Sequence, residues 1–389
     1  MTSTIDVAAR QAEVQRLFAE EQRGHPPLRG PEDVPGTPDA LTVEWLTAVL
    51  CGAHDGAEVV AFEHGSQYDG TTSGRRLTIL YNDAGREAGL PQRLFAKFSP
   101  SVEARCLVGI NGSSAGEVAF YDQIRPTLPV ETPRAFYAGF DEPSCRTFLL
   151  LEDLVQTKGA RFGTALDFPV DRSMAESMVG LLAETHGRFW GPGNQPAAIA
   201  RSALEYQVDF NSTAAWEQLT LAGFEVARGA LPSAIYDRRG EWHAGLMRSL
   251  ELNVAATPTL LHQDTHLANW YALPDGTMGL ADWQCLARGQ WALDVAYALA
   301  IGLTTSDRRA WEQELLALYL ERLAATGVEA PTFDDAWLAY RQQLFHALGY
   351  WLAPIGIPEE VRPVRNDVAT ENIRRAAAAV EDLAAFDAL

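Results

Sequence analysis

The spacing of hydrophobic and polar residues changes along the chain and divides it into parts. Residues 5–22 show a loose helical spacing that ends at a Gly- and Pro-rich stretch, so residues 1–37 are predicted to form a helical extension and a linker. The stretch LTVEWLTAVL (41–50) predicts a new helix with Thr42 as its N-cap. Between residues 59 and 151 the period approaches two, which is typical of β-strands.

Within this alternating region we predict strands at RRLTILY (75–81), RLFAKFS (93–99) and RTFLLLEDL (146–154), and a helix at AGEVAFYDQI (115–124). After residue 170 helical spacing prevails, interrupted by the short apolar runs PTLLHQ and TMGLADWQ. A small sheet-bearing lobe is therefore predicted to precede a large helical lobe. The helices predicted in the second lobe are 173–190, 203–228, 234–255, 291–303, 308–326, 333–352 and 367–386.

Length, charge and cysteine usage narrow the class of protein. A chain of 389 residues exceeds the roughly 250–300 at which single cores stop growing, so two domains are expected. The net charge of −20 argues against nucleic acid or an anionic membrane surface as a partner. The cysteines form no C-x-x-C pair, which favours a reducing cytoplasm. No secretory signal pattern and no apolar run of about 18 residues is present, so we expect neither secretion by that route nor a membrane span.

Polar residues that carry chemistry crowd the stretch TLLHQDTHLANWY (259–271). We predict that it starts with a short strand and a polar loop, and that a turn at LPDG and a second short strand ending at Asp282 complete a hairpin. Asp264 and Asn269 have the H-x-D-x-x-x-x-N spacing of kinase catalytic loops. Phosphoryl transfer needs a carboxylate to accept a proton and oxygen ligands for Mg²⁺. Asp264, Asn269 and Asp282 are candidates for these roles.

Taken alone, this string of residues is a weak match, and other interpretations stay open. A packed turn would need no chemistry at all. A metallohydrolase could use His262, Asp264 and His266 as metal ligands, although such sites normally recruit further ligands.

The motifs considered together resemble the aminoglycoside phosphotransferase and ecdysteroid-kinase-like superfamily, which is related to choline kinase and the protein kinases. The resemblance covers about residues 41–352 and rests on LTVEWL, GEVAFY, LLLEDL, LLAETHGRFW, HQDTHLAN and DWQCLARGQWALDVAY. It implies a bilobal α+β fold of protein-kinase type, with a small antiparallel sheet in its first lobe. The nucleotide-binding lobe would span residues 38–152, and residues 153–389 would carry the catalytic loop and the acceptor site. Residues 1–37 have no counterpart in the family.

The same resemblance implies roles for two residues of the first lobe. Lys97 would bind the nucleotide phosphates, and Glu117 would orient the Lys97 side chain. An independent observation supports this choice, because Lys97 and Lys158 are the two lysines among 31 basic residues. An ammonium and a guanidinium fit different sites, so a lysine in so lysine-poor a chain is informative. The alternative is an edge-strand lysine that reaches solvent.

Two further segments are candidates for nucleotide contact. In the loop GSQYDGTTSGRR (65–76), the residues Gly70, Thr71, Thr72 and Ser73 are candidates for covering the phosphates, although an ordinary surface hairpin is an open alternative. The resemblance also implies that the backbone near Glu152 and Leu154 binds the adenine edge, whereas the plain interpretation of LLLEDL is a buried strand that ends in solvent.

Residues around the predicted catalytic loop have a structural and a functional interpretation. His262 is expected to support the loop by packing, and His266 faces nucleotide, substrate or solvent. Trp270 and Trp283 are either core residues or walls of an acceptor pocket. Gln263 stands where many family members have Gly.

Two residues on helices are expected to support this loop. The resemblance implies that Asp294 is a buried carboxylate that accepts backbone N–H groups and holds the catalytic loop. His186 is expected to pack beneath the loop without binding a ligand.

These observations favour a small-molecule kinase that transfers the γ-phosphoryl group of ATP, or GTP, with Mg²⁺, to a hydroxyl of a metabolite or antibiotic. We expect a cytoplasmic monomer or homodimer that binds neither nucleic acid nor membranes. A metallohydrolase and a non-catalytic nucleotide-binding module of kinase-like fold are the alternatives. No motif identifies the acceptor, since the acidic balance favours a cation and the tryptophans favour a sugar or an apolar compound.

Overall fold

The computed structural model describes residues 6–24, 27–68, 72–362 and 364–389. The chain forms two compact units. The first consists of Met1–Thr127 and Pro133–Ala160, and the second of Leu128–Thr132 and Arg161–Leu389. No helix in the described part of the chain is both long and apolar enough to cross a membrane.

The first unit is built on an antiparallel sheet. Among its described residues five strands pair in the order β1-β2-β3-β5-β4, and each neighbouring pair is antiparallel. The strands are β1 Val59–Tyr68, β2 Ser73–Tyr81, β3 Arg93–Phe98, β4 Ala135–Asp141 and β5 Arg146–Glu152. The predicted strands at 75–81, 93–99 and 146–154 are confirmed, except that the last one ends at Glu152 and a helix begins at Leu154. Strand β3 lies between β2 and β5, and Lys97 pairs with Gly74 on one side and Leu149 on the other.

Short helices accompany this sheet. They are α1 Val7–Glu21, α2 Val43–Cys51, α3 Asp83–Glu87, α4 Val102–Ala104, α5 Ser113–Ala119 and α6 Leu154–Lys158. The predicted cap of α2 is confirmed, because the Thr42 side chain accepts the Trp45 N–H at 3.1 Å. Trp45, Leu46 and Leu50 are buried in the core that α2 shares with the sheet. The helix predicted at 115–124 begins slightly earlier and changes to a π-helical turn at Phe120–Ile124.

The N-terminal extension packs against the rest of the first unit. The Glu21 carboxylate at the end of α1 lies 2.8 Å from Arg105 and 2.8 Å from Arg146, and all three side chains are buried. The Arg105 guanidinium also lies over the Phe18 ring, with 4.8 Å to the ring centre. Val14 is buried with Ile110 and Cys145. The extension is therefore anchored by charge pairs and by apolar contact.

The second unit is mainly helical. Its helices are α7 Arg172–Arg188, α8 Ala203–Ala214, α9 Trp216–Val226, α10 Ser233–Asp237, α11 Trp242–Ala255, α12 Ala292–Gly302, α13 Thr305–Ala325, α14 Phe333–Gln342, α15 Leu344–Ile355 and α16 Asn366–Asp382. Three predicted helices, 203–228, 234–255 and 333–352, are each divided in two. The first of them breaks at Ala215, whose positive φ of 50° cannot continue a right-handed helix.

The predicted hairpin after residue 259 is wrong in its pairing. Strand β7 (Thr259–Leu261) pairs with β10 (Ala287–Gly289), which lies beyond Asp282. The hairpin consists of β8 (Trp270–Ala272) and β9 (Met278–Leu280), and β6 (Arg161–Phe162) extends it to a small sheet. A run of three apolar residues can pair with any exposed strand edge, so the sequence pattern did not determine the partner.

Candidate active site

Lys97 and Glu117 form a buried ion pair within the first unit. Lys97 Nζ lies 2.7 Å from Glu117 Oε1 and 2.8 Å from Oε2. The two residues are only 9% and 2% exposed. Because β3 is an internal strand, the interpretation of Lys97 as an edge-strand lysine that reaches solvent is wrong. An ammonium fixed in this way is a positive charge of defined position, which suits the binding of a phosphate.

The other nucleotide-binding candidates of the first unit have mixed outcomes. Gly70 and Thr71 lie outside the described residues. Ser73 is buried at the start of β2, where it pairs with Phe98, and Thr72 immediately precedes it. A phosphate contact by Thr72 or Ser73 stays a prediction.

The residues predicted to bind the adenine edge already have backbone partners. The Glu152 N–H donates to the Arg134 carbonyl at 2.8 Å, and the Leu154 carbonyl accepts the Ala160 N–H at 3.1 Å. The Glu152 carboxylate lies 3.6 Å from Lys158. Adenine recognition by this segment stays a prediction.

In the second unit a buried carboxylate holds the loop that follows β7. Asp294, in the first turn of α12, accepts the His262 N–H at 2.7 Å and the Gln263 N–H at 2.8 Å. The Thr265 hydroxyl donates to the Asp294 carbonyl at 2.9 Å. His186 Nε2 lies 3.3 Å from the same carboxylate, and His186 is fully buried. The supporting roles predicted for Asp294 and His186 are confirmed.

Gln263 has a left-handed backbone, with φ of 65°. Glycine adopts this conformation without the steric cost that a side chain adds. Here three hydrogen bonds hold Gln263 in place. Its N–H donates to Asp294, its side-chain amide donates to the Cys285 carbonyl at 2.5 Å, and its own carbonyl lies 2.7 Å from His346 Nε2. The surrounding contacts therefore stabilise the strained conformation.

His262 is a supporting residue of the loop. Its Nε2 lies 2.9 Å from the Ala281 carbonyl, and its Nδ1 accepts the Asp264 N–H at 3.2 Å. Burial lowers the pKa of His262, which keeps the ring neutral, with Nε2 as the donor. Both ring nitrogens are thus used, and the described residues contain no group of three or more His, Cys, Asp or Glu arranged to hold a metal ion. This geometry argues against the metallohydrolase interpretation.

Asp264 has a partly accessible carboxylate with a partner on each oxygen. Oδ1 lies 3.2 Å from the Tyr297 hydroxyl, and Oδ2 lies 3.3 Å from Asn269 Nδ2 and 3.5 Å from His266 Nε2. The side chain is 17% exposed. Burial alone would raise the pKa of Asp264, but the adjacent His266, together with His262 and His346, lowers it below the ordinary value. The carboxylate is therefore ionised.

His266 lies beside this carboxylate, with its side chain 18% exposed. Burial would lower the pKa of His266, but the Asp264 carboxylate raises it above the ordinary value. The ring is edge-on to Trp351, with 5.3 Å between ring centres. His266 is thus a cation-forming group next to Asp264, and its predicted contact with a substrate stays a prediction.

Asn269 and Asp282 lie at the same end of the β8–β9 hairpin. Asn269 immediately precedes β8, and its carbonyl accepts the Ala281 N–H at 2.8 Å. Asp282 follows Ala281 with a left-handed φ of 60°. Asn269 Nδ2 donates to the Asp264 carbonyl at 2.8 Å. This bond fixes the orientation of the amide, and its Oδ1 is the atom that would bind a cation. An amide oxygen and a carboxylate are the hard donors that Mg²⁺ prefers, so these residues fit that ion.

Trp270 and Trp283 are core residues, and their prediction as walls of an acceptor pocket is wrong. Both are fully buried. Trp270 Nε1 donates to the Thr265 carbonyl at 3.0 Å, and Trp283 Nε1 donates to the Thr132 hydroxyl at 2.9 Å. Burial of the ring and a bonded N–H leave neither indole a face for a ligand.

Tyr297 was missed by the sequence interpretation, although it contacts Asp264. It lies three residues after Asp294 on α12, so the two share one face of that helix. The spacing was available in the sequence. The helix is apolar on every side, however, and an apolar pattern of that kind does not single out one tyrosine.

The family of the chain follows from comparison with known proteins. Residues 111–331, more than half of the chain, match the model of the phosphotransferase enzyme family. The chain belongs to this family. No curated protein is significantly similar to it in sequence.

Solved structures of similar fold include kinases of small molecules. Choline kinase from Cryptosporidium parvum Iowa II has 12% sequence identity and a TM-score of 0.54, with coverage of 85% of this chain and 91% of that chain. A microcompartment-associated aminopropanol kinase has 15% identity and a TM-score of 0.52, with coverage of 84% and 94%. An aminoglycoside phosphotransferase from Streptomyces rimosus ATCC10970 has 16% identity and a TM-score of 0.42, with coverage of 76% and 92%. The predicted bilobal α+β fold of protein-kinase type is confirmed.

Proposed function

We propose that this chain is a Mg²⁺-dependent kinase that transfers the γ-phosphoryl group of ATP, or GTP, to a hydroxyl of a small molecule. The observation that carries the proposal is the Asp264 carboxylate. It is ionised and partly exposed, and it lies on a loop that also carries Asn269 and leads to Asp282. Membership of the phosphotransferase family supports the same reaction class.

In this reaction the bond between the γ-phosphorus and the β–γ bridging oxygen breaks, and a bond forms between the phosphorus and the acceptor oxygen. Asp264 would accept the proton that the acceptor hydroxyl loses. Lys97 would bind the nucleotide phosphates, and Glu117 would keep its ammonium in place. Such catalysis relies on positioning and on charge stabilisation.

Asn269 and Asp282 would hold the metal ion. Mg²⁺, when bound, supplies positive charge that neutralises the phosphate oxygens. The residues that hold it are themselves positioned by backbone pairing in the β8–β9 hairpin. We expect that replacing either one weakens the binding of Mg·ATP more than the binding of nucleotide alone.

The proteins of similar fold suggest a chemical class for the acceptor. They include a choline kinase, an aminopropanol kinase and an aminoglycoside phosphotransferase. Choline, aminopropanol and aminoglycosides each carry a hydroxyl and an amino or ammonium group. We propose this chemical class as the first to test. Cytoplasmic location, a monomeric or dimeric state and the functional roles of residues 38–152 and 153–389 also stay predictions.

The test is transfer of label from γ-labelled ATP. The full-length protein is incubated with Mg²⁺ and single acceptors: choline, ethanolamine, aminopropanol, several aminoglycosides and neutral sugars as controls. We expect Mg²⁺-dependent labelling of at least one compound, abolished by EDTA. Binding of Mg·ATP without transfer to any acceptor or to water would contradict the proposal and would favour a non-catalytic nucleotide-binding module.

A further inference from the structure

The catalytic loop of the second unit receives two contacts from one face of α12. Asp294 accepts the backbone N–H groups of His262 and Gln263, and one helical turn later Tyr297 reaches the side chain of Asp264. The first contact positions the backbone of the loop. The second acts on the carboxylate itself, which the backbone contact leaves free to rotate about its Cβ–Cγ bond.

We propose that Tyr297 is a positioning residue that holds Asp264 Oδ1, so that Oδ2 is the oxygen that accepts the proton of the acceptor hydroxyl. This inference rests on the proposed kinase function. It adds a residue and an assignment of the two carboxylate oxygens to that function.

The geometry of the tyrosine supports a donor role. Its hydroxyl lies 3.2 Å from Asp264 Oδ1, and the residue is 1% exposed. Burial raises the pKa of Tyr297 well above its ordinary value, so the hydroxyl keeps its proton and donates. A hydrogen bond from a neutral donor to a carboxylate is stronger than one between neutral groups of the same geometry.

The packing around Tyr297 limits its own movement. Its ring is edge-on to His346 with 5.5 Å between centres, and to His266 with 6.5 Å. Tyr350 lies 6.4 Å away by the same measure. A ring enclosed in this way holds its hydroxyl at one place, and a carboxylate bonded to it has one preferred orientation.

The two oxygens of Asp264 therefore have different surroundings. Oδ1 faces a buried phenol, whereas Oδ2 lies near the partly exposed His266 and near Asn269. The partly exposed neighbour, His266, lies on the Oδ2 side, and this favours Oδ2 as the reacting oxygen. Loss of the tyrosine hydroxyl would leave the carboxylate oriented only through Oδ2, by Asn269 and His266. Small misplacements of a catalytic group cost up to about 10²-fold in rate.

The experiment is a double-mutant cycle on phosphate release from Mg·ATP, with water as the acceptor, so that it does not depend on a known substrate. The proteins are wild type, Tyr297→Phe, Asp264→Asn and the double variant. We expect Tyr297→Phe to lower kcat about tenfold in the wild-type background with KM for Mg·ATP unchanged. In the Asp264→Asn background the same substitution should change kcat very little, because the group it positions is gone.

A matched control is Tyr340→Phe. Tyr340 is equally buried, and its hydroxyl lies 3.5 Å from another carboxylate oxygen, Glu312 Oε2, away from the catalytic loop. We expect its kcat to stay at the wild-type value. If Tyr297→Phe lowered kcat by the same factor with and without Asp264, or only raised KM, the positioning role would be overturned.

Failure of the kinase proposal has a different signature. Hydrolysis by Asp264→Asn as fast as by wild type would contradict that proposal, and the positioning role would fall with it. Melting temperatures then decide whether the contact exists, with Asp264→Ala as the background because alanine has no side-chain acceptor. We expect Tyr297→Phe to lower the melting temperature more in the wild-type background than in the Asp264→Ala background, and equal shifts would overturn the contact.

Discussion

Lys97 Nζ lies within 2.8 Å of both carboxylate oxygens of Glu117, and the pair is buried in the first unit. Lys97→Arg keeps the charge but replaces a compact ammonium with a larger planar group. We expect turnover to fall about 10²-fold because the charge no longer lies where the phosphates need it. The measurement is phosphate release from Mg·ATP.

Lys158→Arg is the matched control, since Lys158 is the second lysine and forms a partly exposed ion pair with Glu152. Equal activities of the two variants would contradict the proposal that Lys97 binds the nucleotide phosphates.

The buried ion pairs of Glu21 anchor the N-terminal extension, and we predict that they stabilise the folded protein. Glu21→Gln removes the charge that Arg105 and Arg146 share in a buried position. We expect the free energy of unfolding to fall by about 3 kcal/mol, because breaking a buried ion pair leaves uncompensated charge. The measurement is urea denaturation followed by tryptophan fluorescence.

Glu20→Gln is the control for this change. Glu20 pairs with Arg16 at 2.7 Å, but both side chains are exposed. Exposed pairs contribute about 0–1 kcal/mol, so this variant should be nearly as stable as wild type. Equal losses in the two variants would show that the anchor contributes nothing beyond surface charge.

Because His346 is buried, we predict that the stability of the protein depends on pH. Burial lowers its pKa from 6.5 to about 4, although the Gln263 carbonyl acts in the opposite direction. Between these values the unfolded chain binds a proton that the folded protein does not, so the free energy of unfolding falls as the pH decreases from 6.5 to about 4. At about 1.4 kcal/mol per pKa unit, this one residue accounts for about 3 kcal/mol.

The measurement for His346 is the free energy of unfolding near neutral pH and near pH 4.5. His346→Gln keeps a donor at the position of Nε2 for the Gln263 carbonyl but has no proton to gain in this range. We expect it to lose less stability on acidification than wild type, whereas substitution of the exposed His54 by Gln should not change the loss. The same acid sensitivity in all three proteins would contradict the account.

The parts of the fold that sequence predicted are those that local patterns determine. Thr42 caps α2 because a hydroxyl followed by an amphipathic run specifies a helix start. The strands that carry Lys97 and Glu152 follow from alternation of apolar residues. The contact between Lys97 and Glu117 follows no local rule, since twenty residues separate them, and only the resemblance to a family predicted it.

The parts that sequence missed depend on partners distant in the chain. The strand starting at Thr259 pairs beyond Asp282 because tertiary packing chose its partner. Trp283 resembled a ligand-contacting residue by its position, but its hydrogen bond to Thr132 shows that it faces the interior. Tyr297 contacts Asp264 only because the fold brings α12 against the loop, and the two residues are 33 positions apart in the chain. Spacing indicates which residues share a helix face, but it does not indicate what lies opposite that face.

The most direct test of the central claim is the effect of Asp264→Asn on label transfer from γ-labelled ATP to an acceptor, measured beside the affinity for Mg·ATP. Loss of a catalytic base costs about 10²–10⁴-fold in rate, whereas nucleotide contacts made by other residues are kept. We predict loss of transfer on this scale with Mg·ATP affinity essentially unchanged. Transfer by Asp264→Asn at a rate close to wild type would contradict the assignment of Asp264 and, with it, the proposed mechanism.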